Sequence, residues 1–212
     1  MKPDRSFFTA AEWRVVEKYK TPRQVQKFVR ELAYNREEEG DSQYSFRQVL
    51  QRKKAHCLEA ALVAAVILEQ HGYPPLLLSF ESVDELDHVI FAFKENGMWG
   101  SVARSRDAGL HGRKPVFRSA RDLAWSYFDP YVDMTGRITG YAVVDLNEMG
   151  NYDWRFSSRN LWKLERFLID YPHRKMHSSE KRYQKLLATY KAFRERFPDK
   201  QATYYDDKHL WM

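Results

Sequence analysis

Residues Cys57-Leu58-Glu59-Ala60-Ala61-Leu62-Val63-Ala64-Ala65-Val66-Ile67-Leu68, followed by Glu69-Gln70-His71-Gly72-Tyr73-Pro74-Pro75, decide the fold. From Ala60 to Leu68 the run is apolar on every side of a helix. A helix without a polar face has to be surrounded by protein or lipid, and this one is too short to span a bilayer. It is expected to be the central buried helix of a globular domain, from Cys57 to about His71. Gly72 ends it and Pro74-Pro75 prevents its continuation.

Upstream of this helix, the starts of other helices are well marked. Thr9-Ala10-Ala11-Glu12, Thr21-Pro22-Arg23-Gln24 and Ser45-Phe46-Arg47-Gln48 all read as capping boxes, the second with Pro at the first helical position. Val25, Phe28, Val29 and Leu32 then recur at helical spacing. The polar stretch Glu37-Glu38-Glu39-Gly40-Asp41-Ser42 reads as a loop.

Downstream, strands are expected. Leu76 to Phe80 is a short apolar run of the kind found in buried strands. His88 to Lys94 and Met98 to Arg104 flank Glu95-Asn96-Gly97, and Asn-Gly is the strongest short hairpin signal. Ser119-Ala120-Arg121-Asp122 caps a helix through Ala124, Trp125 and Phe128, and Tyr141 to Leu146 reads as one more strand. Tyr183, Leu186, Leu187, Tyr190, Phe193 and Phe197 recur at helical intervals and stop at Pro198. The last dozen residues show no period. The expected fold is α+β: a helical N-terminal layer and a central Cys-bearing helix packed on a small antiparallel sheet. We divide the chain into a domain over 1–150 and a basic helical extension over 151–212 packed on it.

The whole chain sets bounds on this reading. Its 212 residues are enough to bury a core without staples, and 43% hydrophobic, 30% charged and 15% aromatic residues place it among globular proteins. One cysteine excludes an intrachain disulfide and a multi-cysteine zinc site. Met1-Lys2-Pro3-Asp4-Arg5 lacks the apolar core of a secretory signal, so a reducing cytoplasm is the expected location. From Arg155 onward 14 Lys and Arg stand against 7 Asp and Glu, while the rest of the chain is close to neutral with 21 against 22. Such asymmetry can mark an acidic partner, but acidic residues interrupt the run and a solvated helical face is the preferred reading.

The chemistry centres on Cys57. It opens the apolar helix just after Lys53, Lys54 and His56. Free N–H groups and the positive end of the helix dipole favour a thiolate there, and one of those N–H groups can stabilise an oxyanion. Position alone does not separate this from a small core cysteine. His88 opens a strand after the acidic loop Ser82-Val83-Asp84-Glu85-Leu86-Asp87. If Asn96-Gly97 is a two-residue turn, Glu95 pairs with Met98 and His88 faces Ser105, with Asp107 diagonal on the same face. A base needs a third group to fix its tautomer. Ser105 has the better register and Asp107 the better chemistry, and both remain open.

These segments carry a resemblance. A Cys at the head of an apolar helix, then a strand, then His opening a strand whose hairpin partner carries Trp99, resembles the transglutaminase-like superfamily of papain-like thiol enzymes. The segments are His56-Cys57-Leu58-Glu59-Ala60, Asp87-His88-Val89-Ile90 and Gly97-Met98-Trp99-Gly100, and the likeness covers roughly residues 20 to 146. Arg113 to Phe128 and Tyr34-Asn35 look like those of a bacterial branch of that superfamily. The resemblance implies a Cys–His–Asp triad and acyl transfer on amides. The family usually places its aspartate shortly after the hairpin Trp, whereas here Ala103 stands four after Trp99 and the first aspartate is Asp107.

The leading expectation is therefore a thiol hydrolase or acyltransferase on a peptide or protein amide, with Cys57 as nucleophile and His88 as base. No metal or organic cofactor is implied. The alternative is a catalytically inactive module that binds a protein through its aromatic and basic C-terminal helices. Nucleic-acid binding ranks lowest, because the basic residues lack a recognisable reading motif. Asn35 is a candidate oxyanion-hole amide against a structural role. His173 and His177 have the i,i+4 spacing of metal ligands on a helix, but Pro172 and the lack of nearby carboxylates count against a metal.

Overall fold

A computed structural model describes residues 2–38, 40–83, 88–205 and 207–212. The stretch Asp84 to Asp87 of the acidic loop, and Glu39 of the earlier one, lie outside the described residues.

Five helices and strands precede the central helix: α1 (Ala10–Lys18), α2 (Pro22–Glu31), β1 (Ala33–Tyr34), α3 (Phe46–Arg52) and β2 (Lys54–Ala55). All three expected capping boxes form, at Thr9/Glu12, Thr21/Gln24 and Ser45/Gln48. The central helix α4 runs over Cys57–Glu69, and Leu58 to Glu69 are all buried. Its small residues Ala60, Ala61, Ala64 and Ala65 let neighbours approach closely, and it packs on α1, α2 and α3 as well as on the sheet.

The strands are β3 (Leu76–Ser82), β4 (Val89–Glu95), β5 (Met98–Val102), β6 (Arg113–Phe117), β7 (Ile138–Asp145) and β8 (Arg174–Lys175). They form one antiparallel sheet in the order β6-β5-β4-β3-β7-β8, and β1 and β2 pair separately in parallel. Asn96 (φ 50°) and Gly97 (φ 78°) are both left-handed, the two-residue turn expected of Asn-Gly. The register is the expected one, Glu95 with Met98 through Phe91 with Val102.

Both sheet faces are buried, which is why β3 and β4 read as continuous apolar runs rather than alternating ones. Leu77, Val89, Phe91 and Val144 face α4. Leu78, Phe80, Ile90 and Tyr141 face α5 (Ala120–Tyr131), against Leu123, Ala124, Tyr127 and Phe128. The chain beyond residue 150 contributes Trp154, Phe156, Leu161 and Leu164 to the α4 core, with Leu164 on α6 (Trp162–Ile169). The last helix, α7 (Glu180–Arg196), has no fully buried residue.

Strand β6 was not among the expected strands, while α6 falls within the extension expected to be helical. Arg113 on β6 is fully buried and donates to the carbonyls of His111 (2.6 Å), Gly109 (2.6 Å) and Ser126 (3.2 Å) with its guanidinium over Tyr127. It thereby ties the 108–113 loop to α5.

Candidate active site

Cys57 is the first residue of α4 and is partly exposed, with His56 as the preceding cap residue. The first backbone N–H groups of a helix have no partner within it, so the thiol lies at a site that favours negative charge. Two residues on, Glu59 is fully buried. Its carboxylate accepts from His56 N–H (2.9 Å), Tyr44 N–H (3.0 Å), Ser42 Oγ (3.2 Å) and Asn35 Nδ2 (3.0 and 3.2 Å). The His56 ring completes this cluster. Its Nε2 is 2.7 Å from the Ser42 carbonyl and 3.4 Å from Glu59 Oε1.

His88 immediately precedes β4 and is buried. Its ring stacks on Phe80, with centroids 6.1 Å apart, and leans on Tyr127. Its Nε2 lies 3.1 Å from the Leu110 carbonyl. A carbonyl only accepts, so this contact requires a proton on Nε2 and leaves Nδ1 as the nitrogen that exchanges one.

The His56 and His88 imidazoles both act on the Cys57 thiol, with which they line one cleft. Burial by itself pushes the thiol up, but the two imidazoles and their charges outweigh it and hold Cys57 well below the usual thiol range. For His56, burial disfavours the charged ring, yet the hydrogen bond to Cys57 and the nearby Cys57 and Glu59 charges push it up to about 9. Tyr34, on the same cleft, is pushed up to about 12 by burial and then by the Cys57 charge, so it stays a neutral hydroxyl. His111 falls to about 4, chiefly through burial, and stays neutral.

The structure does not form the register expected for the third member. The β4–β5 ladder ends at Phe91–Val102 and does not extend to His88–Ser105. At Ala103 the next strand partner is replaced by the Gln26 side chain of α2, which donates to the Ala103 carbonyl (2.9 Å) and accepts from its N–H (2.9 Å). The chain then turns away. Ser105 Oγ accepts from Asp107 N–H (3.2 Å), and Asp107 pairs with exposed Arg106 at 3.4 Å. Both residues line the same cleft as Cys57, but the described partner of the His88 ring is the Leu110 carbonyl.

Other candidates resolve in the same way. Asn35 spends its amide on Glu59 and Ser42, so it serves the buried carboxylate rather than an oxyanion. His173 places Nδ1 on the Tyr171 carbonyl (2.6 Å) and Nε2 on Ser79 Oγ (3.2 Å), both ring nitrogens being engaged without His177. The cleft over Cys57 measures about 420 Å³. Tyr34, Glu37 and Gln43 line one side, Glu165 and Leu168 of α6 another, and Tyr190, Arg194 and Tyr205 from the C-terminal segment a third.

The sequence reading missed His56 as more than a neighbouring charge, and it missed Glu59. The signal was present: a glutamate inside an otherwise apolar helix has to be paired. Leu110 left no signal, because a backbone carbonyl has no side-chain identity.

No family of known proteins matches this chain, and no curated protein does. Among solved structures, the fold is similar to Legionella pneumophila LapG at 11% identity, covering 68% of this chain and 82% of that one with a TM-score of 0.41. A likeness this distant carries no argument about the site.

Proposed function

We propose that this chain is a transglutaminase-like cysteine enzyme that transfers or hydrolyses the acyl group of a peptide or protein amide. The observation that carries the reading is the Cys57 thiol at the head of α4, lining one cleft together with the His56 and His88 imidazoles.

In this reading the Cys57 thiolate attacks the amide carbon, and the carbonyl π pair moves to oxygen as an oxyanion that α4 N–H groups stabilise. The oxyanion then collapses and the C–N bond breaks, while the leaving nitrogen takes a proton from protonated His88. A thioester and neutral His88 remain. His88 next accepts a proton from water as the water oxygen attacks the thioester. The thiolate leaves, an acid is released and His88 is protonated again. An amine in place of water gives a new amide by the same steps. The Leu110 carbonyl orients His88 without adding charge, a weaker support for the imidazolium than a carboxylate would be.

The test is acetylation of the single cysteine by p-nitrophenyl acetate, followed by intact mass, with nitrophenolate release as the rate. Wild type should form an acetyl-Cys57 species and turn it over. His88→Ala should lose turnover by about 10²–10⁴-fold, the usual contribution of a positioned acid–base group. A wild-type thiol that is acetylated no faster than a free cysteine would favour the inactive binding module instead.

A further inference from the structure

The thiol enzymes of this reading need one imidazole, and Cys57 touches two. His56 caps α4 immediately before Cys57, its side chain is only 12% exposed, and its Nε2 lies 3.4 Å from the fully buried Glu59 carboxylate. Glu59 is in turn held by donors from three segments, Asn35 after β1, Ser42 and Tyr44 before α3, and His56 itself. No described substrate-facing role explains a buried carboxylate with this many donors two residues from a nucleophile. Its effect is to fix a buried acidic partner 3.4 Å from the His56 ring.

We propose that His56 is a second catalytic imidazolium: held charged between Glu59 and Cys57, it keeps the sulfur ionised through the whole cycle and leaves His88 alone to carry protons. This deepens the thiol-enzyme reading and assigns a division of labour to its two histidines. Nε2–H donates to the Ser42 carbonyl at 2.7 Å, which a neutral ring in the other tautomer could not do. With that contact and the thiol both made, the charged ring is the form in which both nitrogens donate. The groups facing it are Cys57 and Glu59 from α4, Glu37 and the Ser42 carbonyl from the loop before α3, Glu165 from α6, and His88 across the thiol. Three of these are carboxylates, so the surroundings favour the cation.

The proton accounting differs from that of a simple thiolate–imidazolium pair. The thiol's own proton stays on His56. The proton given to the leaving nitrogen comes from His88, and the attacking water returns it. The sulfur leaves the thioester as a thiolate and is never reprotonated. His56 enters and leaves the cycle unchanged.

The experiment follows iodoacetamide alkylation of the single cysteine against pH in the full chain. Wild type, His56→Gln, Glu59→Gln and His88→Ala are compared, with circular dichroism to confirm folding. His88→Ala should keep the depressed thiol pKa although it loses acyl turnover. In His56→Gln the pKa should return toward the ~8.5 of a free thiol, which slows alkylation at pH 6 by at least about tenfold, and Glu59→Gln should fall between. Because His56→Gln removes a helix cap, the wild-type ring is also followed by the NMR shift of its Cε1–H. It should titrate at about 9 and move back toward ~6.5 in Cys57→Ala. A thiol pKa that follows His88 and ignores His56, or a wild-type His56 that titrates near ~6.5, overturns the proposal while leaving acyl turnover by Cys57 and His88 intact. Failure of acetylation with the His56 titration preserved does the reverse.

Discussion

His56 and Cys57 are coupled through one proton, and the effect of this coupling on stability has a definite pH signature. In the folded chain the thiol is held well below its ordinary range and the His56 ring is raised to about 9. Each group alone would make stability depend on pH. The raised ring contributes fully below its unfolded value of ~6.5, and this is lost as pH rises through about 9. The depressed thiol contributes fully above its unfolded value of ~8.5, and this is lost as pH falls through its folded value. Between about 6.5 and about 8.5 the two slopes cancel, because unfolding only returns a proton from ring to sulfur, and above about 8.5 the contribution declines as the unfolded thiol loses its proton. Below about 6.5 the unfolded ring binds an extra proton and the contribution declines. Denaturant unfolding of wild type and His56→Gln should therefore differ by a constant amount from about pH 6.5 to about pH 8.5, and by less at pH 5. A difference that slopes steadily across the upper range would show that the proton is not held within this pair.

At the scale of elements, the decisive event is the end of the β4–β5 ladder. The hairpin register is perfectly regular up to Val102, and extrapolation alone would bring Ser105 to His88. Beyond Val102, Gln26 of α2 holds the Ala103 N–H and carbonyl on the β6 side of β5, presenting a side-chain amide where a strand would present a peptide. The loop that follows turns through Ala108–Leu110, and the buried Arg113 clamps it so that the Leu110 carbonyl meets His88. Gly112 is needed on this path, since a Cβ there would press on the Gln26 amide and the Ser101 carbonyl. Gln26→Leu should leave the Ala103 N–H and carbonyl buried without partners. The expected cost is about 2–4 kcal/mol in urea unfolding, with faster amide exchange at Ala103 and slower acyl turnover. Stability within about 0.5 kcal/mol of wild type would mean that the Ala103 N–H and carbonyl find another partner and that Gln26 does not hold this segment.

At the scale of the whole molecule, the C-terminal segment forms one wall of the cleft. Arg194 on α7 donates to the Lys200 carbonyl at 2.8 Å, Gln201 to the Arg106 carbonyl, and the Met212 N–H to the Gly112 carbonyl. Tyr205 lies so close to Gly109 that a Cβ there would meet its ring at 2.8 Å, and its hydroxyl donates to the Pro130 carbonyl. Much of the basic surplus is engaged inside the chain: Arg155 pairs with Glu69, Arg166 with Asp170 and Arg182 with Asp129. Among the described residues no helix is long and apolar enough to cross a membrane. If the C-terminal wall sets access to Cys57, Tyr205→Ala should leave alkylation by iodoacetamide nearly unchanged. A bulky aryl maleimide should react roughly tenfold faster, corresponding to about 1.4 kcal/mol of steric barrier removed. Equal acceleration of both reagents would point to general loosening of the fold instead.

The amino-acid sequence by itself determined the elements that depend on local rules. The three capping boxes, the apolar run from Ala60 to Leu68 and the Asn96-Gly97 turn each act within a few residues, so α1 to α4 and the hairpin register were legible. The thiol at the head of α4 was legible for the same reason. What surrounds that thiol was not. The Leu110 carbonyl, the Gln26 amide and the donors to Glu59 come from segments far apart in the chain. A backbone carbonyl carries no residue identity, and an amide side chain replacing a strand has no periodicity. Only the packing of α2 and α5 against opposite faces of one sheet brings those groups to the sulfur, and that packing decides which hydrogen bonds the two histidines can make.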